Sequence, residues 1–243
     1  MRRGTRRLLV AGGFGVGLIT AIATIFATPL GNWLSKPETA PKAAVWADGL
    51  DECAMSWMVP GSSAGLKAPG DEPLIAWARD LGGVPAARDE FGFHVQGTSE
   101  AQVVLRQIRV VVDSREAPVS GTWTGVGCGG PKEIRHLDID LDEPSPKAKA
   151  VGVDADGKAI DFPYEVSKGE SELFAVVAHG ERNDVRWHLE IDWVSDGKTG
   201  TLVLKRDGQP FRLTGTSART ARCLWGPDRT TLSERLSVGC ESR

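Results

Sequence analysis

Residues 184 to 193 read DVRWHLEIDW, and the fold turns on whether this stretch is a strand or a site. His188, Glu190 and Asp192 resemble the donors of a metal or acid–base centre. Yet Val185, Trp187, Leu189, Ile191 and Trp193 fill the odd positions, and Arg186, His188, Glu190 and Asp192 fill the even ones. Strict alternation is the signature of a β-strand with one face in a core and the other in water. Same-face neighbours on a strand stand about 6.6 Å apart, from a rise of about 3.3 Å per residue. Zinc ligands lie about 2.0–2.2 Å from the metal. The polar row is therefore read as a solvated face.

The same parity extends outward. In IRHLDIDLD, Leu137, Ile139 and Leu141 form the apolar row, and His136, Asp138, Asp140 and Asp142 the polar one. QVVLRQIRVVVD, ELFAVVAHG, GTLVLKRDG, PFRLTGT and ARCLW read as further strands. Asp-Gly steps at Asp156, Asp196 and Asp207 supply residues that tolerate the positive φ of tight hairpin turns. No long helical period intervenes from Phe91 onward, which disfavours parallel βαβ units. The expected fold is mainly β: an antiparallel immunoglobulin-like β-sandwich over 91–243. Before it, residues 48–90 form a small mixed region in which DEPLIAWARDLGG is the one helix, with Pro73 at its first position and Gly82 as its stop.

The N-terminus has a different composition. Arg2, Arg3, Arg6 and Arg7 crowd a short stub, 1–7, and no charge follows until Lys36. Leu8 to Leu30 is apolar over 23 residues, and about 20 helical residues cross a bilayer core. A transmembrane helix over 8–34 is expected, with the basic flank cytoplasmic and the remainder extracellular. A cleaved secretory signal with an exit at Ala21-Ile22-Ala23 is the alternative. Residues 35–47, with two prolines and no apolar periodicity, read as a stalk.

Both topologies export the chain, and an even set of cysteines in an exported protein favours bridges over zinc or thiol chemistry. Cys53, Cys128, Cys223 and Cys240 are expected to form two disulfides, first choice Cys53 with Cys128 and Cys223 with Cys240. The balance of 29 basic and 32 acidic residues leaves no cationic surface for nucleic acid.

Other motifs have plain readings. Gly61-Ser62-Ser63-Ala64-Gly65 matches the G-x-S-x-G elbow of hydrolases, but Pro69 and Gly70 follow where a helix would be needed. Asp154, Asp156 and the twelfth-position Glu165 outline a calcium loop, but Ile160, Phe162 and Pro163 stand among them. Trp187 and Trp193 belong to the core parity, whereas Trp57, Trp123 and Trp225 have no clear register and any of them can line a groove.

EAQVVLRQIRVVVDSREAP, GVGCGG, IRHLDIDLDEP and the run from Phe162 to Thr216 resemble a group of actinobacterial single-pass membrane proteins with an extracytoplasmic β-rich domain. In some relatives that domain lies C-terminal to a membrane helix in helix-turn-helix regulators. The resemblance covers about residues 90–220 and implies fold and topology; it carries no activity to any position.

The functional expectation is a membrane-anchored extracytoplasmic binding or interaction module of the cell envelope, non-enzymatic, without cofactor, metal or catalytic residues. Its partners would be the membrane, through the N-terminal helix, and possible proteins of the envelope. Two alternatives stand beside it. One is an exported metal-dependent or acid–base hydrolase using the His136/Asp138/Asp140 and His188/Glu190/Asp192 rows; the other is a purely structural envelope protein.

Overall fold

A computed structural model describes residues 40–46, 55–126, 136–153, 157, 159, 162–233 and 237–240. The apolar N-terminal segment, Cys53, Cys128 and the first positions of the Asp154 loop lie outside the described residues. Among the described residues, no helix is long and apolar enough to cross a membrane.

The chain is mainly β, with strands β1 (Lys42–Trp46), β2 (Ser56–Pro60), β3 (Val84–Pro85), β4 (Ala87–Gln96) and β5 (Val103–Glu116) in its first half. There follow β6 (Gly121–Val126), β7 (His136–Asp140), β8 (Ala148–Val151), β9 (Tyr164–Val166) and β10 (Ser171–Gly180). The last four are β11 (Asp184–Ser195), β12 (Lys198–Leu204), β13 (Phe211–Thr214) and β14 (Arg219–Trp225). The helix, α1, spans Leu74–Asp80, with Pro73 at its N-cap, one position earlier than its sequence suggests.

Among the described residues three sheets form, with orders β1-β4-β10-β7-β8, β12-β11-β5-β9 with β13 also on β11, and β14-β6-β2-β3. Most pairs are antiparallel. The exceptions are β7 with β10 and β6 with β14, which run parallel. Both join strands distant in sequence, where no tight turn imposes direction.

β11 is the hub. One edge pairs with β5; the other is shared, β13 taking Asp184–Trp187 and β12 taking Leu189–Ser195. Its parity is the expected one, with Val185, Trp187, Leu189, Ile191 and Trp193 all buried. The β11–β12 hairpin turns at Asp196 (φ 48°) and Gly197 (φ 71°), the conformation that an Asp-Gly step accepts at little cost.

The first two sheets share one core. Phe91 and Phe93 of β4, Phe174 of β10 and Leu137 and Ile139 of β7 meet the buried row of β11 and Phe211 of β13. Rings of both sheets touch, Phe91 stacking on Phe211 at 4.3 Å and Trp187 lying 4.8 Å from Phe211. A second, smaller core joins α1 to the third sheet: Trp57, Leu74, Trp77, Val126 and Trp225, with Cys223 buried among them. The early mixed segment thus completes its core with strands from the middle and end of the chain. The Cys223–Cys240 disulfide, with Cα atoms 5.6 Å apart, ties the last described residues to that core.

One segment departs from the sequence reading. Lys42–Trp46, read there as stalk, is an edge strand paired antiparallel with β4 from Lys42↔Gln96 to Trp46↔Gly92. Ala43 and Val45 pack on the core, and the Trp46 indole covers Gly92, where a Cβ would strike the ring. Two small apolar residues make too weak a period to be seen without the strand they pair with.

Candidate functional site

The two polar rows are brought to different sheets, His136/Asp138/Asp140 on β7 and His188/Glu190/Asp192 on β11, each on the side opposite the buried residues of its strand. They do not form a common site. On β11, Arg109 of β5 reaches both carboxylates: Nη2 donates to Glu190 Oε2 at 2.8 Å and Nη1 to Asp192. Asp192 also accepts from Gln107 (2.7 Å) and the Thr201 hydroxyl (2.9 Å). His188 lies between Asp113 (Nδ1 to Oδ2, 3.1 Å) and Glu190 (3.5 Å).

Arg109 above all holds the Glu190 carboxyl below its ordinary range, and the Gln107 amide together with Arg109 does the same for Asp192. Both are acceptors already supplied with donors. On β7, Asp138 (3.3 Å) and Asp140 (4.0 Å) flank His179 of β10, and Asp140 also accepts the Asp142 backbone N–H at 2.9 Å. Among the described residues, no group of three or more His, Cys, Asp and Glu is placed to hold a metal.

Ser63 sits in a turn rather than at an elbow. Its hydroxyl donates to the Gly239 carbonyl at 2.5 Å, and α1 starts only at Leu74. Trp57 and Trp225 are core residues, the Trp225 indole N–H donating to Thr124 Oγ1 at 3.0 Å. Trp123 is half-buried, and it leads to a site that sequence reasoning did not assemble.

That site is a pocket of about 220 Å³ where the third sheet meets the segments after β10 and β13. Arg222 of β14 and Trp123 of β6 are direct cross-strand partners, and the guanidinium lies over the indole at 4.7 Å from the ring centre. A register shift between Arg219 and Ala221 opens the start of β14 and turns Arg219 toward the same hollow. Such bulges redirect side chains at the ends of strands.

Arg219 Nη1 donates to Thr216 at both its carbonyl (3.2 Å) and hydroxyl (3.1 Å) oxygens, and that hydroxyl donates on to Glu181 Oε2 at 2.5 Å. The threonine hydroxyl stands between guanidinium and carboxylate. Among the described residues no carboxylate pairs directly with Arg219 or Arg222. Gly215 lets the two segments meet here, since a Cβ on it would strike the Glu181 carbonyl.

The opposite wall carries a strained residue. Ala87 has φ 64°, and Arg88 N–H donates to Ala86 O at 2.7 Å, closing a three-residue turn around it. Left-handed backbone is costly for a residue with a Cβ and persists only where the surroundings enforce it. They do so here: Ser56 Oγ donates to Ala86 O at 2.6 Å, and Ala86 N–H to Ser56 O at 2.8 Å. Nothing in the alternation of the sequence announces this turn.

Comparison with known proteins finds no matching family model, no matching curated protein and no matching solved structure.

Proposed function

We propose that the chain is a membrane-anchored module, held outside the cytoplasm by a helix over 8–34, that works by binding rather than by catalysis. The observation that carries the reading is the pocket beside Arg219 and Arg222, a hollow with two exposed guanidiniums that no described carboxylate pairs with directly. Location is supported by the Cys223–Cys240 bridge, since disulfides persist in oxidising compartments, and by the basic flank of the apolar run. The immunoglobulin-like character of the two-sheet body belongs to the same proposal; antiparallel bodies of this kind commonly serve recognition.

The hydrolase alternative is weakened by the separation of the two ionic rows and by the donors that already occupy Glu190 and Asp192. The protein should fractionate with the membrane, and protease added to intact cells should degrade residues beyond 39. Deletion of residues 8–34 should release it. A protected domain, or a membrane-bound protein without that segment, would overturn the topology.

A further inference from the structure

The seam pocket shows which ligand chemistry it suits. Its charged groups are Arg219, Arg222 and Glu181, so its formal charge is +1 and it would be neutralised by a monoanion. The guanidinium of Arg222 has one face on Trp123, which leaves its edge N–H groups for a planar acceptor. Arg219 spends Nη1 on Thr216, and among the described residues its other guanidinium nitrogens have no partner. Thr216 stands between Glu181 and Arg219, and among the described residues the second Glu181 carboxylate oxygen has no donor.

We infer that this pocket binds a small hydroxycarboxylate of the sugar-acid class. Arg219 and Arg222 grip its carboxylate, and Glu181 accepts from a hydroxyl beside it. The assignment rests on reading the chain as a binding module. A phosphate ester fits less well, because it carries about −1.5 to −2 charges at neutral pH and would meet Glu181. A volume of about 220 Å³ suits one sugar-sized unit and is below the range of drug-sized sites. The left-handed turn at Ala87, held by Ser56, forms one wall of the pocket.

The test uses the full-length chain in nanodiscs titrated with D-glucuronate, followed by saturation-transfer NMR and tryptophan emission. Acetate, which lacks hydroxyls, D-glucose, which lacks the carboxylate, and inorganic phosphate serve as comparisons. Glucuronate should bind at least tenfold tighter than each of them. Arg219→Gln and Arg222→Gln should each weaken it about tenfold or more, because a hydrogen bond to a charged group is lost. Glu181→Gln should bring glucuronate and acetate closer together, and Trp123→Phe should remove the emission change while keeping the NMR signal.

Near-ultraviolet dichroism identical to that of the parent shows that each variant is folded. Equal binding of glucose, tighter binding of phosphate, or unchanged affinity in both arginine variants would overturn the inference. Mass analysis of the recovered probe separates the two proposals. Intact glucuronate agrees with both. Converted glucuronate whose conversion needs Arg219 keeps the pocket and removes the non-enzymatic reading. A chain that binds none of the probes loses the pocket assignment alone.

Discussion

Arg206 closes one end of the shared core by donating to Asp89 at 3.0 Å while its guanidinium lies 5.3 Å from the centre of the Phe91 ring. Asp89 stands on the buried parity of β4, in line with Phe91 and Phe93, and is fully enclosed. Burial pushes its carboxyl above the ordinary carboxylate range, against the pull of Arg206. Among the described residues Asp89 Oδ1 and Arg206 Nε have no hydrogen-bond partner, so the pair is held by one charged contact and the two rings beside it.

Arg206→Met should therefore destabilise the fold by about 3–5 kcal/mol, the cost of leaving a buried charge unpaired. Adding Asp89→Asn to it should recover a large part of that loss. Urea unfolding of the parent, the single and the double variant checks the point. A double variant no more stable than Arg206→Met alone would show that the loss comes from the missing Arg206 packing on Phe91 and Phe211 rather than from an unpaired Asp89.

The parity of β11 can be tested by neighbours in sequence. Trp187 is wholly enclosed, and Trp187→Ala should cost about 3–5 kcal/mol, whereas Arg186→Ala, on the solvent side, should stay within about 0.5 kcal/mol. Similar losses at the two positions, measured by chemical denaturation, would contradict the strand assignment.

Arg109 controls the ionisation of the outer β11 row. Arg109→Gln removes its hydrogen bonds to Glu190 and Asp192, so both carboxyls should titrate at higher pH than in the parent. The change should be larger at Glu190, because Asp192 keeps Gln107 and Thr201. Carboxyl carbon shifts followed by NMR from pH 2 to 6 read this directly.

Asp228 organises the turn after β14. Its carboxylate accepts the Thr231 hydroxyl (2.6 Å) and N–H (3.1 Å) and both Thr230 donors, which lowers it to about pKa 2. A depressed carboxyl contributes its stability above the unfolded value near 4 and loses it as the pH falls toward 2. Amide exchange at Thr230 and Thr231 should accelerate across that window, and Asp228→Ala should abolish the pH dependence.

Replacing Cys223 and Cys240 together by serine should cost on the order of 3 kcal/mol, the loop entropy of a bridge spanning 17 residues. Reductant should lower the unfolding temperature of the parent by more than that of this variant, which keeps only the expected Cys53–Cys128 bridge.

Legibility followed period. β11 and β7 could be read because every second residue is large and apolar, and the Asp196-Gly197 turn because its residue types match its φ angles. β1 could not, since Ala43 and Val45 gain meaning only against β4. Asp89 broke the pattern, because a charged residue on the buried parity depends on Arg206, distant in sequence. The seam pocket was invisible for a related reason. Arg219 and Arg222, Trp123, Glu181 and Ala87 come from four separate stretches, and only the bulge in β14 and the left-handed turn at Ala87 gather them.

The position of β1 also has a mechanical meaning. Tension transmitted through residue 41 reaches Lys42–Trp46 before any other described strand, and that strand is bonded along one edge only. Sustained pulling there should detach a short ribbon and uncover Gly92 beneath Trp46, while β4 keeps its partner β10 and the rest of the body stays folded. The molecule thus carries a yielding link that gives way first under load.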